Sequence, residues 1–447
     1  MIYISPKPTF IILLTIFFLL ISPIGLSQSI DTEKLDKYFT TLEAHDKFLG
    51  SVTILKDGNI IYKKQVGYTN IDSKQKPNKD TKYRIGSISK LFTATIIFKA
   101  IEEGKLSLDQ AIENYFPEIK NADKISISNL LNHRSGIHSF TDNKEVFLSY
   151  HTQAKTEAEM VKIIAEGGSD FKPDEKAAYS NSNYVLLSYI IEKLYNNPYG
   201  KILEDKIAKP LNLNNTFFGS KINVVNNESF AYRFEKKWKT TEETDPSIDM
   251  GAGGIVSTPP DLVRFVEALF NSKLLSAESV EKMKTIRDNF GMGLFKTEYY
   301  DKVSYGHNGE IDGFVSVLRY FPNENIAFAI TSNGLNYSMN SITVTIVNSL
   351  FNKHFDIPDF RIYKPTSKEL EPYLGVYSSE TFPVKLIVTK SGKQLHLQAT
   401  GDSEMNLQAT AKNEFKYEPA GISIVFDVNK KQLLITQGGK TNVLDKE

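Results

Sequence analysis

Strand patterns stand at both ends of residues 30–355, and helix patterns fill the middle. Apolar Leu35, Tyr38, Phe39 and Leu42 recur at helical spacing and predict a helix over 30–44. Residues 51–55 and 60–62 flank the turn Lys56-Asp57-Gly58-Asn59 and predict a hairpin. An apolar helix follows over 91–101, with Gly104 suited to its C-terminal cap. Further helices are expected over 183–194 and from Thr258-Pro259-Pro260-Asp261 to Phe270. Strand signals return at 303–305, 315–320 and 326–331, before a last helix over 339–353. This order describes an α+β or α/β layered domain with a helical insertion.

The texture changes after Asp356. Ile357-Pro358 and Lys364-Pro365-Thr366 look like a linker, and everything beyond Tyr373-Leu-Gly-Val-Tyr377 is strand-like. Strands are expected at 384–389, 394–399, 415–417, 422–428 and 433–437, which suggests a small barrel or sandwich. At the other end, 1–27 reads as an export signal. Lys7 precedes an apolar run over 10–21, and Gly25-Leu26-Ser27 offers small residues for cleavage before Gln28. The protein is therefore expected to be periplasmic or secreted, with no membrane span after cleavage. An uncleaved anchor is the alternative, although the run is shorter than the ~20 residues a span requires. The expected domains are 1–27 (signal), 28–360 (layered domain) and 366–447 (β domain).

Equal numbers of basic and acidic residues, 53 each, argue against nucleic acid as a partner. The chain contains no cysteine, which excludes disulfides, thiolate metal sites and a cysteine nucleophile.

Gly86-Ser87-Ile88-Ser89-Lys90 opens the apolar helix, so Ser87 and Lys90 project from one face of its first turn. A serine hydroxyl becomes nucleophilic beside a base, and a lysine with a lowered pKa can be that base. The positive end of the helix disfavours the ammonium and favours a developing oxyanion. The same tetrad at Ser73, Ser169 and Ser279 lacks this apolar helix, and a capping serine with a solvated lysine is the plain alternative. Tyr179-Ser180-Asn181 lies 92 residues on, before the helix over 183–194. There a tyrosine could relay the serine proton, and an asparagine could bind a substrate amide or carbonyl and also contact the lysine. A loop tyrosine covering the helix start is the plainer reading. Gly306-His307-Asn308-Gly309 follows after a further 128 residues, ending the strand over 303–305. The Glu310 N–H could supply one oxyanion donor and Ser87 N–H the other, with Gly309 admitting substrate close to the backbone. The other six histidines are expected to be structural, and His133 and His138 do not have zinc-site spacing on a helix.

Ser-x-x-Lys, Tyr-x-Asn and His-x-Gly in this order resemble the serine β-lactamase-like superfamily, in the branch of class C β-lactamases, D-alanyl-D-alanine carboxypeptidases, D-aminopeptidases and related esterases. The resemblance covers about 31–355. It includes Tyr83-Arg-Ile-Gly-Ser-Ile-Ser-Lys90, Leu130-Leu-Asn-His-Arg-Ser-Gly136, Pro210-Leu-Asn-Leu213 and Ala252-Gly-Gly-Ile-Val-Ser257. It implies a β-lactamase/transpeptidase-like antiparallel sheet flanked by helices, with an all-helical subdomain. Ser87 would be the acylated nucleophile, Lys90 its base, and Tyr179 the proton relay to the leaving group. Asn181 and His307 would bind substrate, and Gly309 and Glu310 would shape the oxyanion strand. No metal or organic cofactor is implied, and the partner is a small-molecule or peptide substrate. The segment over 366–447 resembles the lipocalin-like β domain of some members, and is expected to be a packing unit.

His307 stands where class C enzymes carry lysine, and histidine is mostly neutral at pH 7. This favours the peptidase and esterase branches over an efficient β-lactamase. A catalytically idle relative that binds peptidoglycan fragments or peptides is the rival from another class. The intact Ser87, Lys90, Tyr179 and Asn181 argue against it.

Overall fold

The computed structural model describes residues 30–360, 363–438 and 440–447. The expected export segment over 1–27 lies outside the described residues. Among them, no helix is long and apolar enough to cross a membrane.

Helix α1 (Thr32–Ala44) starts where the Asp31 carboxylate accepts the Lys34 N–H at 2.9 Å, and it buries the stripe Leu35, Tyr38, Phe39 and Leu42. Strands β1 (Phe48–Lys56) and β2 (Asn59–Val66) form the hairpin, with Asp57 and Gly58 in the left-handed region its tight turn needs. The helical layer includes α2 (Ser89–Glu102), α3 (Asn181–Tyr195), α4 (Pro246–Gly253) and α5 (Pro259–Phe270). Then come β3 (Phe295–Tyr299), β4 (Lys302–Ile311), β5 (Phe314–Phe321), β6 (Ile326–Leu335) and helix α6 (Met339–Leu350).

The main sheet runs β2-β1-β6-β5-β4-β3, with antiparallel neighbours. β1 and β6 pair along their whole lengths, so the two ends of the domain meet in mid-sheet. One face packs on α1 and α6 through Leu35, Phe39, Ile342 and Ile346. The other packs on the helical layer, where Phe92 and Phe265 stack with ring centres 3.7 Å apart. Covering both faces explains why β1 and β6 are buried almost throughout, their polar Ser51, Thr53, Thr331, Ser332 and Asn333 included.

One strand differs from expectation in a way that matters for function. β4 does not end at Tyr305 but continues to Ile311, because β5 pairs with it as far as Ile311. On its other side β3 reaches only Gly306, so among the described residues His307–Ile311 have an open edge.

Beyond the linker, the sandwich alternative gives way to a closed eight-stranded barrel. Its strands are β7 (Gly375–Ser378), β8 (Leu386–Ser391), β9 (Gln394–Ala399), β10 (Met405–Ala411), β11 (Glu414–Tyr417), β12 (Ile422–Asp427), β13 (Gln432–Gln437) and β14 (Lys440–Lys446). β7 closes on β14 at Tyr377 and Lys446. Leu397, Ile424, Phe426, Leu433 and Leu444 fill the interior. The barrel touches the first domain through Gly421, whose α-carbon faces Ser338 and Ser341 at the start of α6. A side chain there would lie 2.8 Å from Ser341 Oγ.

Candidate active site

Ser87 sits in a single 3-10 turn, Gly86–Ile88, that runs directly into α2. The turn lies against the open edge of β4 because two glycines leave room. A Cβ on Gly86, at φ 51°, would fall 2.7 Å from Glu310 N, and one on Gly309 would fall 2.0 Å from Ile85 O. Gly309 was expected to admit substrate. It does line the cavity, and its missing side chain also lets the serine turn dock on the strand.

Lys90 is fully buried and donates three hydrogen bonds: to Ser87 Oγ at 3.0 Å, Asn181 Oδ1 at 2.8 Å and Ala252 O at 2.7 Å. Burial pushes its pKa down to about 7, opposed only in part by the Asp249 charge. Near neutrality it can therefore alternate between ammonium and free amine beside the serine. The Tyr179 hydroxyl is in hydrogen-bonding contact with Ser87, and burial holds its pKa above the ordinary phenol range. Its ring lies 4.9 Å from Lys90 Nζ.

Asn181 is the first residue of α3. Its carbonyl faces Lys90, its Nδ2 donates to Thr141 Oγ1 at 2.9 Å, and its backbone N–H donates to Ser139 Oγ at 3.2 Å. The structure thus gives it a lysine-orienting position. His307 is buried, with its ring 4.5 Å from Phe295 and 6.2 Å from Tyr179. Burial and the neighbouring Lys90 charge push its pKa down to about 3, so it is neutral at any physiological pH. The Glu310 side chain is exposed, and its backbone nitrogen lies against the serine turn.

These seven residues converge on one place, and four others join them. His133 was expected to be structural. Its ring packs 4.5 Å from that of Tyr179, and its Nδ1 accepts the Ser180 N–H at 3.2 Å, so it sets the tyrosine loop in place. Ala252 receives the third lysine proton through its carbonyl. Asp249 supplies the charge that Lys90 feels. Arg319 lies on β5 opposite Gly306, on the sheet face that α6 covers, and lines the cavity that wraps the strand edge. A charged residue inside the apolar strand Phe314–Phe321 was the one signal in the sequence that could have found it.

A cavity of about 430 Å³ wraps the open edge of β4 and is lined by Ser87, Tyr179, His307, Asn308, Arg319 and Met339 among others. Arg319 is 6% exposed, donates to Asn308 Oδ1 at 2.7 Å and Leu318 O at 2.8 Å, and leaves its buried Nε without a partner. Among the described residues, no carboxylate lies within ion-pair distance of it. A second cavity, of about 210 Å³, opens on the other side of Ser87. Among the described residues, no group of three or more His, Asp or Glu side chains is arranged to hold a metal ion.

Three comparisons with known proteins bear on this arrangement. The chain is 30% identical over 277 residues to "Putative penicillin-binding protein PbpX" of Bacillus subtilis, covering 61% of this chain and 67% of that one. It spans between 59% and 67% of the length of such curated relatives. The D-stereospecific amidohydrolase from Streptomyces sp. matches at 28% identity with a TM-score of 0.59, over 67% of this chain and 94% of that one. The octameric penicillin-binding protein homologue from Pyrococcus abyssi shares the fold over 93% of this chain and all of its own, with a TM-score of 0.68 at 24% identity. The family model described as Beta-lactamase matches residues 35–344, most of the first domain, and on that match the chain belongs to the serine β-lactamase-like superfamily.

Proposed function

We propose that the chain is an exported serine hydrolase that cleaves an amide or ester through an acyl-enzyme on Ser87. Its best substrates would be D-amino-acid peptides with a carboxylate on the leaving side. The observation that carries this reading is the meeting of Ser87 Oγ with both Lys90 Nζ and the Tyr179 hydroxyl beside an open strand edge.

Neutral Lys90 takes the Ser87 proton as Oγ bonds to the scissile carbonyl carbon. The backbone N–H groups of Ser87 and Glu310 receive the oxyanion. The carbon–nitrogen or carbon–oxygen bond then breaks, and the proton passes through Tyr179 to the leaving group. One water repeats the sequence to release the acid and restore Ser87. Neutral His307 cannot hold a substrate carboxylate by charge, and the unpaired Arg319 supplies the cation instead. The preference for D-amino-acid substrates rests on the Streptomyces amidohydrolase, whose name gives its stereospecificity. Export rests on the apolar run before Gln28. Short-chain nitrophenyl ester hydrolysis by residues 28–447 tests the reaction. Turnover is expected, with a loss of at least ~10³-fold in Ser87→Ala. Equal rates in the two proteins would end this reading.

A further inference from the structure

The geometry points to an amine-binding pocket on the acyl side of Ser87, built on Asp249, so that the preferred substrate is a short zwitterionic peptide. This rests on the hydrolase reading above and adds to it the chemistry of the acyl half.

The second cavity runs from Ser87 past Asn181 and Thr141 to Asp249, Asp312 and Ile311. It lies toward the Glu310–Asp312 end of β4, whereas the Arg319 cavity lies toward His307 and Asn308. A chain segment laid along the open edge therefore has one half in each. Three acids line the second cavity, and they are not equivalent: the Glu310 side chain is exposed to solvent. Asp312 is fully engaged: it accepts from Arg84 Nη1 at 3.0 Å, Thr244 N at 2.9 Å and Thr244 Oγ1 at 2.6 Å. Arg84 in turn is shared with Glu243 at 3.0 Å. Asp249 is 9% exposed, lines the cavity, and has no hydrogen bond or ion pair to its side chain among the described residues. Lys90, Arg84 and His151 act on it through space, and none of them hydrogen-bonds to it: all three lysine protons go to Ser87, Asn181 and Ala252.

The backbone holds this carboxylate in position at a cost. Met250 has φ 41° and ψ −131° inside α4, which breaks the helix directly after Asp249. The break is fixed by Gly251, whose N–H donates to Ser188 Oγ at 2.8 Å and whose carbonyl accepts Thr93 Oγ1 at 2.7 Å. A buried carboxylate without donors is strongly unfavourable until a cation with N–H groups reaches it. A peptide N–H brings one donor and no charge, whereas a terminal ammonium brings three donors and a full charge. Arg319 makes the opposite demand on the other side of the serine, and a carboxylate meets it. One ammonium and one carboxylate, met in the two cavities that flank Ser87, describe a short peptide with both ends free.

The test is calorimetric binding to Ser87→Ala of D-Ala-D-Ala, its N-acetyl form and its C-terminal amide, together with the L,L series. The expected result is that one zwitterion binds at least about tenfold more tightly than either of its blocked forms. Adding Asp249→Asn should abolish the loss caused by acetylation while keeping the loss caused by amidation, and Arg319→Gln should do the converse. A merely structural Asp249 would weaken all three ligands alike. Equal binding of free and acetylated peptides, an Asp249→Asn ratio unchanged from Ser87→Ala, or no binding of either dipeptide overturns the proposal. Failure of the wild type to hydrolyse esters would instead remove the hydrolase reading, and the binding pattern is measured independently of it.

Discussion

The two domains bury different things. Around Ser87 the first domain encloses Lys90, His133, His307, Arg319 and Asp249. In the barrel the buried side chains, such as Leu397, Ile424, Phe426 and Tyr373, are apolar or aromatic, and buried polar atoms beyond residue 363 are confined to parts of side chains, such as the ring nitrogens of His396 and one carboxylate oxygen of Glu418. Burying one ion costs several kcal/mol even after relaxation. A fold carries such a cost where chemistry or recognition needs the group, and shifted pKa values gather at such places. On this difference we propose that the first domain is the working part and the barrel a unit held together by packing.

Substitutions can break or sharpen that contrast. The largest effect is expected from Lys90→Met, which removes the base from a site of matching volume. Acylation rate should fall by ~10²–10⁴-fold while the protein remains folded, as circular dichroism and single-turnover kinetics would show. In the wild type kcat/KM should rise with pH through about 7 and level off above it, because Lys90 must lose its proton to act and burial sets its pKa there. An acid limb placed instead near the ordinary lysine value would contradict the buried-base account. Arg319→Gln comes next. For peptides with a free carboxylate KM should rise about 10- to 100-fold relative to their amides. An unchanged ratio would return Arg319 to a structural role. The smallest effect on catalysis belongs to the barrel: Ile424→Ala should cost ~2–5 kcal/mol of stability in the barrel's unfolding transition. The kcat/KM of the folded protein should stay within about twofold. A large loss of activity at a temperature where the variant is folded would show that the barrel takes part in the reaction.

Much of the first domain could be read from the residues. The stripe of α1, the hairpin and the caps of α2 and α5 are local signals, set by spacing and by residues such as Asp57, Gly58, Gly104 and Thr258. The Ser87, Lys90, Tyr179, Asn181 and His307 positions were legible because their motifs fall at element starts or on a strand. Arg319 and Asp249 were not. Arg319 enters the site only because β5 sets it opposite Gly306 and β3 stops there, and register of that kind is a property of pairing. Asp249 points into its cavity only because α4 breaks at Met250, a residue with no intrinsic preference for that conformation. In the barrel, β7, β10 and β14 escaped notice. Met405-Asn-Leu-Gln-Ala-Thr-Ala411 does alternate apolar and polar residues, a strand signal that was legible, whereas Gly375–Ser378 and Lys440–Lys446 alternate weakly and pair with each other across the closure of the barrel.

The central claim is that Ser87 is acylated. Intact-mass and peptide-mapping measurements on protein quenched within seconds of mixing with benzylpenicillin or p-nitrophenyl acetate test it most directly. The account predicts a stoichiometric adduct on the peptide containing Ser87, absent from Ser87→Ala. No adduct from either reagent, or one carried by another residue and retained in Ser87→Ala, would contradict it.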